Sequence, residues 1–297
     1  MIPDCGDSGA GVTSAVAVPL VEQLSREDRG DGLWSFLQGP ETVAVTRRGT
    51  AGERLFVIEP HFDDAILSAG GRLLRVLAPV TVATVFSDSS VVHPQVAPAL
   101  ARAELSARQL RRAESAAALR ALAASGLELG RRDGEVEAAA PEELPAIARV
   151  IEEQLFDAIP ADALVLFPAG FGRNPAHLAV SAAATRFPFH ALYEDIAPIG
   201  AYGRLTEEFW WTYDRLVRAG YQPSTIDIDD VLEQRVDLAS IYRSQFSYRQ
   251  ARTLIDYARG VAISMPHLGE SVPGFTFGER IYIPAAARER WRSGGWI

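Results

Sequence analysis

The segment Leu55–Gly71, LFVIEPHFDDAILSAGG, constrains this chain more than any other part of it. Its apolar start, Leu55–Ile58, predicts a buried strand that ends at Pro60. His61 and two adjacent carboxylates follow at once, before a helical pattern begins. In open α/β sheets, ligands and catalytic groups collect where strands end. The segment therefore predicts a metal or catalytic site on the loop that leaves this strand.

Strands alternate with helices along the chain, which favours an α/β fold with a parallel sheet of the doubly wound type. Residues 1–50 are interpreted as an N-terminal extension, with short helices near Pro19–Leu24 and Trp34–Leu37, and residues 51–297 as one domain with a helix-rich C-terminal part. Further strands are predicted at 80–86, 163–167 and 190–193, and helices up to about 77, over 99–124 and 141–159, after His177 to about 186, and over 206–219 and 229–258.

Composition excludes several classes of function. The formal net charge of −9 argues against nucleic-acid binding and favours a small-molecule partner. No apolar run reaches the ~18 residues that would span a membrane. Asp4 and Asp7 precede the apolar stretch 12–21, which argues against a secretory signal, so a cytoplasmic location is expected. The one cysteine, Cys5, excludes an internal disulfide framework and a cysteine-based zinc site.

Two of the five histidines, His61 and His177, follow predicted buried strands. Catalytic zinc usually has three protein ligands from His, Asp or Glu and one position open to water. His61, Asp64 and His177 would form such a set. Asp63 would then be free to act as a base towards the metal-bound water, whose pKa the metal lowers towards neutrality.

Four sequence blocks, Glu59–Gly71, Arg111–Glu114, Pro168–His177 and Leu192–Ile196, together resemble the PIG-L/LmbE-like zinc deacetylases, which remove N-acetyl groups from glucosamine-containing substrates. Glu59–Gly71 resembles their opening His-x-Asp-Asp motif, and Pro168–His177 is similar to their second motif, His-x-x-His after a Gly-rich loop. Leu192–Ile196 is similar to the Tyr-Glu-Asp segment that follows, and Arg111-Arg-Ala-Glu114 to an Arg-x-x-Glu helix. The order and spacing agree over roughly residues 53–200.

The resemblance implies a Rossmann-like fold, with a mostly parallel sheet flanked by helices, and the same site. His61, Asp64 and His177 would be the zinc ligands and Asp63 the general base. The implied reaction is hydrolysis of an N-acyl, usually acetyl, group on an amino-sugar-containing small molecule. A homo-oligomer is compatible with the Arg-rich surface.

Three positions depart from the family pattern. Asn174 replaces the first His of the second motif, Ala176 replaces the Asp between its two His positions, and Ala65 replaces the Glu after the Asp pair. Asn174 can donate a hydrogen bond to an oxyanion, worth roughly 3 kcal/mol, but it cannot deliver a proton. Asp63 would then carry the proton both ways. The alternative is a diverged member whose hydrolysis is altered or lost, and which binds an acyl-sugar ligand or acts in a specialised biosynthetic pathway.

Simpler interpretations also stand. The Asp pair could cap the following helix, and Asn174 could form an Asn-Pro turn. Glu194 and Asp195 are interpreted as supporting residues rather than ligands, and Arg111 with Glu114 as an ion pair. Arg173 and Arg204 could bind an anionic substrate group, and Trp210–Trp211 could form a core or subunit contact. A different reaction, phosphoester hydrolysis with Mg²⁺ or Mn²⁺, is the remaining alternative, but two His ligands favour zinc.

Overall fold

A computed structural model describes residues 11–23, 33, 36–47, 52–196 and 205–297. Its strands are β1 (Val12–Ala17), β2 (Thr42–Arg47), β3 (Leu55–Glu59), β4 (Val80–Thr84), β5 (Ser125–Glu128), β6 (Leu164–Pro168), β7 (His190–Tyr193), β8 (Tyr221–Asp227) and β9 (Gly278–Pro284). Its helices are α1 (Pro19–Gln23), α2 (Asp64–Leu74), α3 (Ala97–Arg102), α4 (Ala107–Ala121), α5 (Asp133–Glu137), α6 (Leu144–Ala158), α7 (Pro175–Ala182), α8 (Leu205–Arg218), α9 (Leu232–Ala239), α10 (Tyr248–Ala251), α11 (Leu254–Ser264) and α12 (Arg288–Ser293).

Seven of these strands form one mixed sheet in the order β5-β4-β3-β6-β7-β9-β8. The five strands from β5 to β7 are parallel, and β9 runs antiparallel to β7 and to β8. Every residue of β3 and β6 is buried, as expected for parallel strands with helices on both faces. The predicted mostly parallel α/β fold is confirmed.

The core lies on both faces of this sheet. Along β3, Leu55 and Val57 pack into one apolar cluster, whereas Phe56 and Ile58 pack into another. This alternation follows from the two-residue period of side chains on a strand. Because β3, β6 and β7 are parallel neighbours, their carboxyl ends stand side by side, and the loops that leave them can share a site.

Two of the predicted long helices are wrong because each is interrupted. The predicted helix 99–124 ends at Arg102 and starts again at Ala107, after Glu104 takes a left-handed φ of 53°. The predicted helix 229–258 is divided into α9, α10 and α11. Ser106 with Gln109, and Ser247 with Gln250, form capping boxes where the chain resumes as a helix.

The C-terminal third also contributes β8 and β9, which the sequence interpretation missed. Pro223 lies in β8, at the edge of the sheet, where a missing N–H removes no interior ladder bond. The N-terminal segment contributes a separate antiparallel pair, β1 and β2. The predicted helix near Pro19–Leu24 is found as α1. Of the predicted helix around Trp34–Leu37, Phe36 and Leu37 are described and helical, whereas Trp34 and Ser35, like Cys5, lie outside the described residues.

Buried arginines join these segments to the domain. Arg47, at the end of β2, donates to the carbonyls of Leu122 at 2.8 Å and Ala78 at 2.7 Å. Arg243 is fully buried and donates to the carbonyls of Leu37 at 2.6 Å and Pro40 at 3.1 Å. The described part of residues 1–50 therefore packs against the domain, and a division at residue 50 remains a prediction.

A buried ion pair meets the middle of α2, the helix that begins with the Asp pair. Glu279 on β9 accepts the backbone N–H groups of Gly71 at 2.8 Å and Arg72 at 2.7 Å. The Arg235 guanidinium lies 2.5 Å from Glu279 and donates to the carbonyl of Leu67 at 2.7 Å. Gly71 permits this approach, since a Cβ there would lie 2.9 Å from the Glu279 carboxylate.

Gly71→Ala should lower the free energy of unfolding by ~1–3 kcal/mol, because it overpacks a buried contact that cannot move freely. Gly70→Ala is the matched control. Its added Cβ would find ordinary contacts of 3.6 Å or more, and better helix propensity should raise stability by up to ~1 kcal/mol. Urea unfolding measures both variants. Equal effects at the two positions would contradict this account of α2.

Candidate metal centre

The loop after β3 places two of the proposed ligands on one short turn. Asp64 is the first residue of α2, and its Oδ2 accepts the backbone N–H of His61 at 2.8 Å. The same oxygen lies 3.3 Å from His61 Nδ1. The sharp turn between strand and helix therefore brings the imidazole and the carboxylate together.

His177 completes the cluster from α7, which follows β6. Its Nε2 lies 3.4 Å from Asp64 Oδ2, and the ligand atoms of His61, Asp64 and His177 all lie within 4.8 Å of one another. Ligands ~2.1 Å from a tetrahedral zinc stand about 3.4 Å apart. Two His and one carboxylate also suit zinc chemically. The residues therefore fit a zinc ion, with a fourth position for water.

Asp195 orients His177. Its Oδ1 lies 2.7 Å from His177 Nδ1, and its Oδ2 accepts the N–H groups of Gly170 at 2.6 Å and Phe171 at 3.0 Å. A carboxylate facing Nδ1 favours the tautomer in which that atom carries the proton and Nε2 is free to bind a metal. The interpretation of Asp195 as a supporting residue is confirmed by these contacts.

Asp63 lies beside the cluster and does not cap the helix. It occupies the N-cap position of α2, but its side chain makes no capping hydrogen bond. Its Oδ1 instead lies 3.4 Å from the Arg111 guanidinium, which also donates to Ser89 Oγ at 2.6 Å. The capping interpretation of Asp63 is therefore wrong.

Arg111 and Glu114 have different partners, so their interpretation as an ion pair is wrong. Glu114 is fully buried and accepts the backbone N–H of Ser244 at 2.8 Å and its hydroxyl at 2.5 Å. Burial raises the pKa of Glu114 to about 8, although the Ser244 hydrogen bonds and the nearby Arg111 act in the opposite direction. At neutral pH, this side chain is mainly the uncharged acid.

Charge at the cluster sets the ionisation of its members. Burial alone would raise the pKa of Asp64, but the facing His177 and His61 outweigh it and lower the pKa to about 2. Burial alone would lower the pKa of His177, but Asp64 and Asp195 raise it to about 9. Burial and the neighbouring Asp64 raise the pKa of Asp63 above its ordinary value. Asp64 is thus a carboxylate at any pH near neutral.

The three departures from the family pattern have structural counterparts. Asn174 is exposed and caps α7, since its Oδ1 accepts the N–H of Ala176 at 2.8 Å, which leaves its NH₂ group unused by the cap. Ala176 is fully buried in the apolar core. The N–H of Ala65 donates to the buried Glu59 carboxylate at 3.0 Å, and Thr84 donates to the same side chain.

The sequence interpretation assigned no partners to Glu194, which the structure places in a buried network. It accepts the hydroxyls of Tyr257 at 2.8 Å and Tyr282 at 3.0 Å and pairs with Arg280 at 3.2 Å. The network joins the residue before Asp195 to β9 and α11. Only the alternation of Tyr and Arg in RIYIP, read as a strand, could have indicated it. Arg204 lies outside the described residues.

Asp195→Asn should weaken zinc binding by about 10- to 100-fold. The amide oxygen can still accept from Gly170 and Phe171, but the NH₂ group would then face His177 Nδ1 and favour a proton on Nε2. Competition with a chromophoric chelator measures the dissociation constant. Asp88→Asn is the control, because Asp88 pairs with Arg108 and Arg132. Unchanged affinity in Asp195→Asn would contradict this role.

Glu114→Gln should alter how stability depends on pH. The ordinary pKa of 4.5 is raised to about 8 in the folded protein. Between these pH values the unfolded chain has lost a proton that the folded protein keeps, so the free energy of unfolding falls as pH rises. Relative to the variant, the parent protein should lose at most about 5 kcal/mol. Urea unfolding at pH 5 and pH 8 measures the difference, and parallel profiles would contradict it.

The chain was compared with known proteins. Residues 56–187, somewhat under half of the chain, match the family model PIG-L, described as GlcNAc-PI de-N-acetylase. No curated protein matches. Among the described residues, none of the helices has the length and apolar character needed to cross a bilayer.

Solved structures of deacetylases from the biosynthesis pathway of teicoplanin share the fold. A deacetylase–teicoplanin complex has a TM-score of 0.54 at 20% identity, covering 77% of this chain and 97% of that chain. A deacetylase–bog complex has a TM-score of 0.53 at 20% identity, covering 77% and 96%. A zinc-inhibited form of a teicoplanin deacetylase has a TM-score of 0.51 at 20% identity, covering 77% and 97%. The match of residues 56–187 to the PIG-L model confirms the resemblance drawn from the motifs, and the solved structures show that this chain shares their fold.

Proposed function

We propose that this protein is a zinc-dependent hydrolase that removes an N-acyl group, in the simplest case acetyl, from an amino-sugar conjugate. The observation that carries the proposal is the convergence of His61, Asp64 and His177 beside a carboxylate, Asp63, that neither caps the helix nor belongs to the ligand set. When bound, zinc would supply Lewis acidity that lets water attack an amide at neutral pH.

Asp63 is assigned the proton transfers. It would accept a proton from the attacking water and pass it to the leaving amine, because the amide nitrogen must be protonated before the bond to carbon breaks. Its side chain is 13% exposed, so the carboxylate can meet a substrate. Arg111 holds one oxygen of this carboxylate and leaves the other available.

Asn174 is assigned to oxyanion stabilisation. Its Oδ1 is used by the helix cap, and the remaining NH₂ group can donate to the oxygen that becomes negative during the attack. An amide cannot take up or release a proton at neutral pH, so Asp63 would be the one acid and base. We therefore expect slower turnover than with a proton-handling His at this position.

The family description and the structural neighbours support the substrate class. The matching model is named for GlcNAc-PI, and the neighbouring structures are of deacetylases. Amino-sugar conjugates are therefore the compounds to test first. The competing function, ligand binding without turnover, is favoured by one observation, the use of Asn174 as an exposed helix cap.

The test combines metal analysis with an acetate-release assay on N-acetylglucosamine and its conjugates. We expect about one zinc per chain and, for Asp63→Asn, a loss of kcat of at least ~100-fold, as is typical when a general base is removed. Zinc should be titrated into stripped protein from substoichiometric amounts, since one similar structure is of a zinc-inhibited deacetylase. Asp88→Asn is the matched control. Absence of bound zinc, or full activity of Asp63→Asn, would contradict the mechanism.

The same assay separates the two functions through Asn174. Asn174→Ser keeps an oxygen for the helix cap but removes the NH₂ donor. Its activity should fall by about 100-fold if the amide stabilises the oxyanion. Asn174→His should raise turnover if the hydrolysis is merely weakened. Ligand binding without acetate release in every variant would favour the binding function.

A further inference from the structure

An arginine in an unusual conformation lies on the loop that leads to His177. Arg173 has a left-handed φ of 55°, and Gly170 and Gly172 before it both have φ of 79°. Glycine adopts this conformation at little cost, whereas an arginine is strained by its Cβ. Residues held in such conformations cluster at functional sites, where the surrounding structure imposes them. The position therefore keeps a side chain that local geometry disfavours.

The Arg173 side chain is exposed and held in place without using its hydrogen-bond donors. Its guanidinium carbon lies 4.6 Å from the centre of the Trp211 ring on α8. Within the described parts of the chain, this guanidinium makes no hydrogen bond or ion pair. Stacking on an indole orients the planar group while its N–H groups remain free.

A second arginine adds positive charge beside the same ring. The Arg215 guanidinium carbon lies 5.5 Å from the Trp211 ring centre. Nη2 of the same guanidinium donates to the carbonyl of Ala169 at 2.7 Å. Among the described residues, no carboxylate lies within ion-pair distance of Arg215 or Arg173. The two guanidinium groups therefore lie beside one ring without an ion-pair partner among the described side chains.

Arg173 lies on the loop that leads to His177, a proposed zinc ligand. Arg173 precedes His177 by four residues, which limits their Cα atoms to ~14 Å apart. The donors of Gly170 and Phe171 to Asp195 fix this loop on the same carboxylate that orients His177. A ligand with its acyl group at the cluster could therefore place a second group near Arg173.

We propose that Arg173, stacked on Trp211, forms with Arg215 a subsite for an anionic group, a phosphate or a carboxylate, of the amino-sugar conjugate. The proposal rests on the proposed function for the position of the acyl group. A stacked guanidinium presents two parallel N–H groups that match such an anion. Trp211, which is 46% exposed, thereby has a role in orienting an arginine rather than in the core or a subunit contact.

The test compares N-acetylglucosamine with its 1-phosphate and 6-phosphate in the acetate-release assay. For the parent protein, we expect KM for at least one phosphate to be about tenfold lower than for the neutral sugar, the effect of one charge-assisted hydrogen bond. Arg173→Gln should reduce that ratio to near one. Trp211→Phe should keep most of the ratio, and Trp211→Ala should lose it.

Arg218→Gln is the matched control. Arg218 is on the same helix as Trp211 but pairs with Asp214 at 2.7 Å. Arg218→Gln therefore changes the net charge as Arg173→Gln does and should keep the ratio of the two KM values. A parent protein without preference for either phosphate, or an equal loss in Arg218→Gln and Arg173→Gln, would overturn the subsite.

Two further measurements separate the subsite from the reaction. Calorimetric titration of metal-stripped protein with both sugar phosphates should show binding that Arg173→Gln weakens by about tenfold. If no acetate is released but this binding is found, the proposed function fails and the subsite stands. Arg173→Gly should melt at a higher temperature than Arg173→Gln, because glycine relieves the left-handed strain. If Arg173→Gly is less stable than Arg173→Gln and still prefers the sugar phosphates over the neutral sugar, Arg173 has a structural role and the proposal is overturned.

Discussion

The arrangement of the candidate site depends on the buried carboxylate of Asp195. One of its oxygens accepts two backbone N–H groups of the loop after β6, and the other faces the imidazole of His177. The first contact holds the loop that leads to α7, and the second fixes which nitrogen of His177 turns to the cluster. A carboxylate can accept all of these bonds at once because it has acceptor sites on both oxygens. One side chain therefore holds the loop conformation and orients the His177 ring.

Buried arginines hold backbone segments together in this chain, which contains no lysine. Arg47 and Arg243 each donate to several backbone carbonyls from a buried position. A planar fork with five N–H groups suits this task, since it can reach several carbonyls from one buried position. The Arg235–Glu279 pair does the same for α2, the helix that begins with Asp64. Packing of the N-terminal and C-terminal segments is thus coupled to the helix that carries the proposed ligand Asp64.

The proximity of His61 and Asp64 could be predicted from sequence because the strand, the turn and both proposed ligands are local in Leu55–Gly71. His177 was also predictable, since it follows a second buried strand of the same sheet. The two interrupted helices were predictable in principle, because Ser106 and Ser247 each precede a Gln by three residues, the signature of a capping box. Partners such as Arg111 for Asp63 and Ser244 for Glu114 depend on tertiary packing, and no spacing along the chain encodes them.

The second loop shows how a helix start can limit chemistry. Asn174 caps α7 because the residues after Pro175, which itself has no N–H, leave N–H groups without partners at the helix start. A His side chain caps poorly, so an Asn here trades proton transfer for a well-formed helix that aims His177. Ala176 faces the apolar core of the domain, where a carboxylate at this position would be buried without a partner. The contacts of this helix account for Asn174 and Ala176, whereas His177, the proposed ligand, is oriented separately by Asp195.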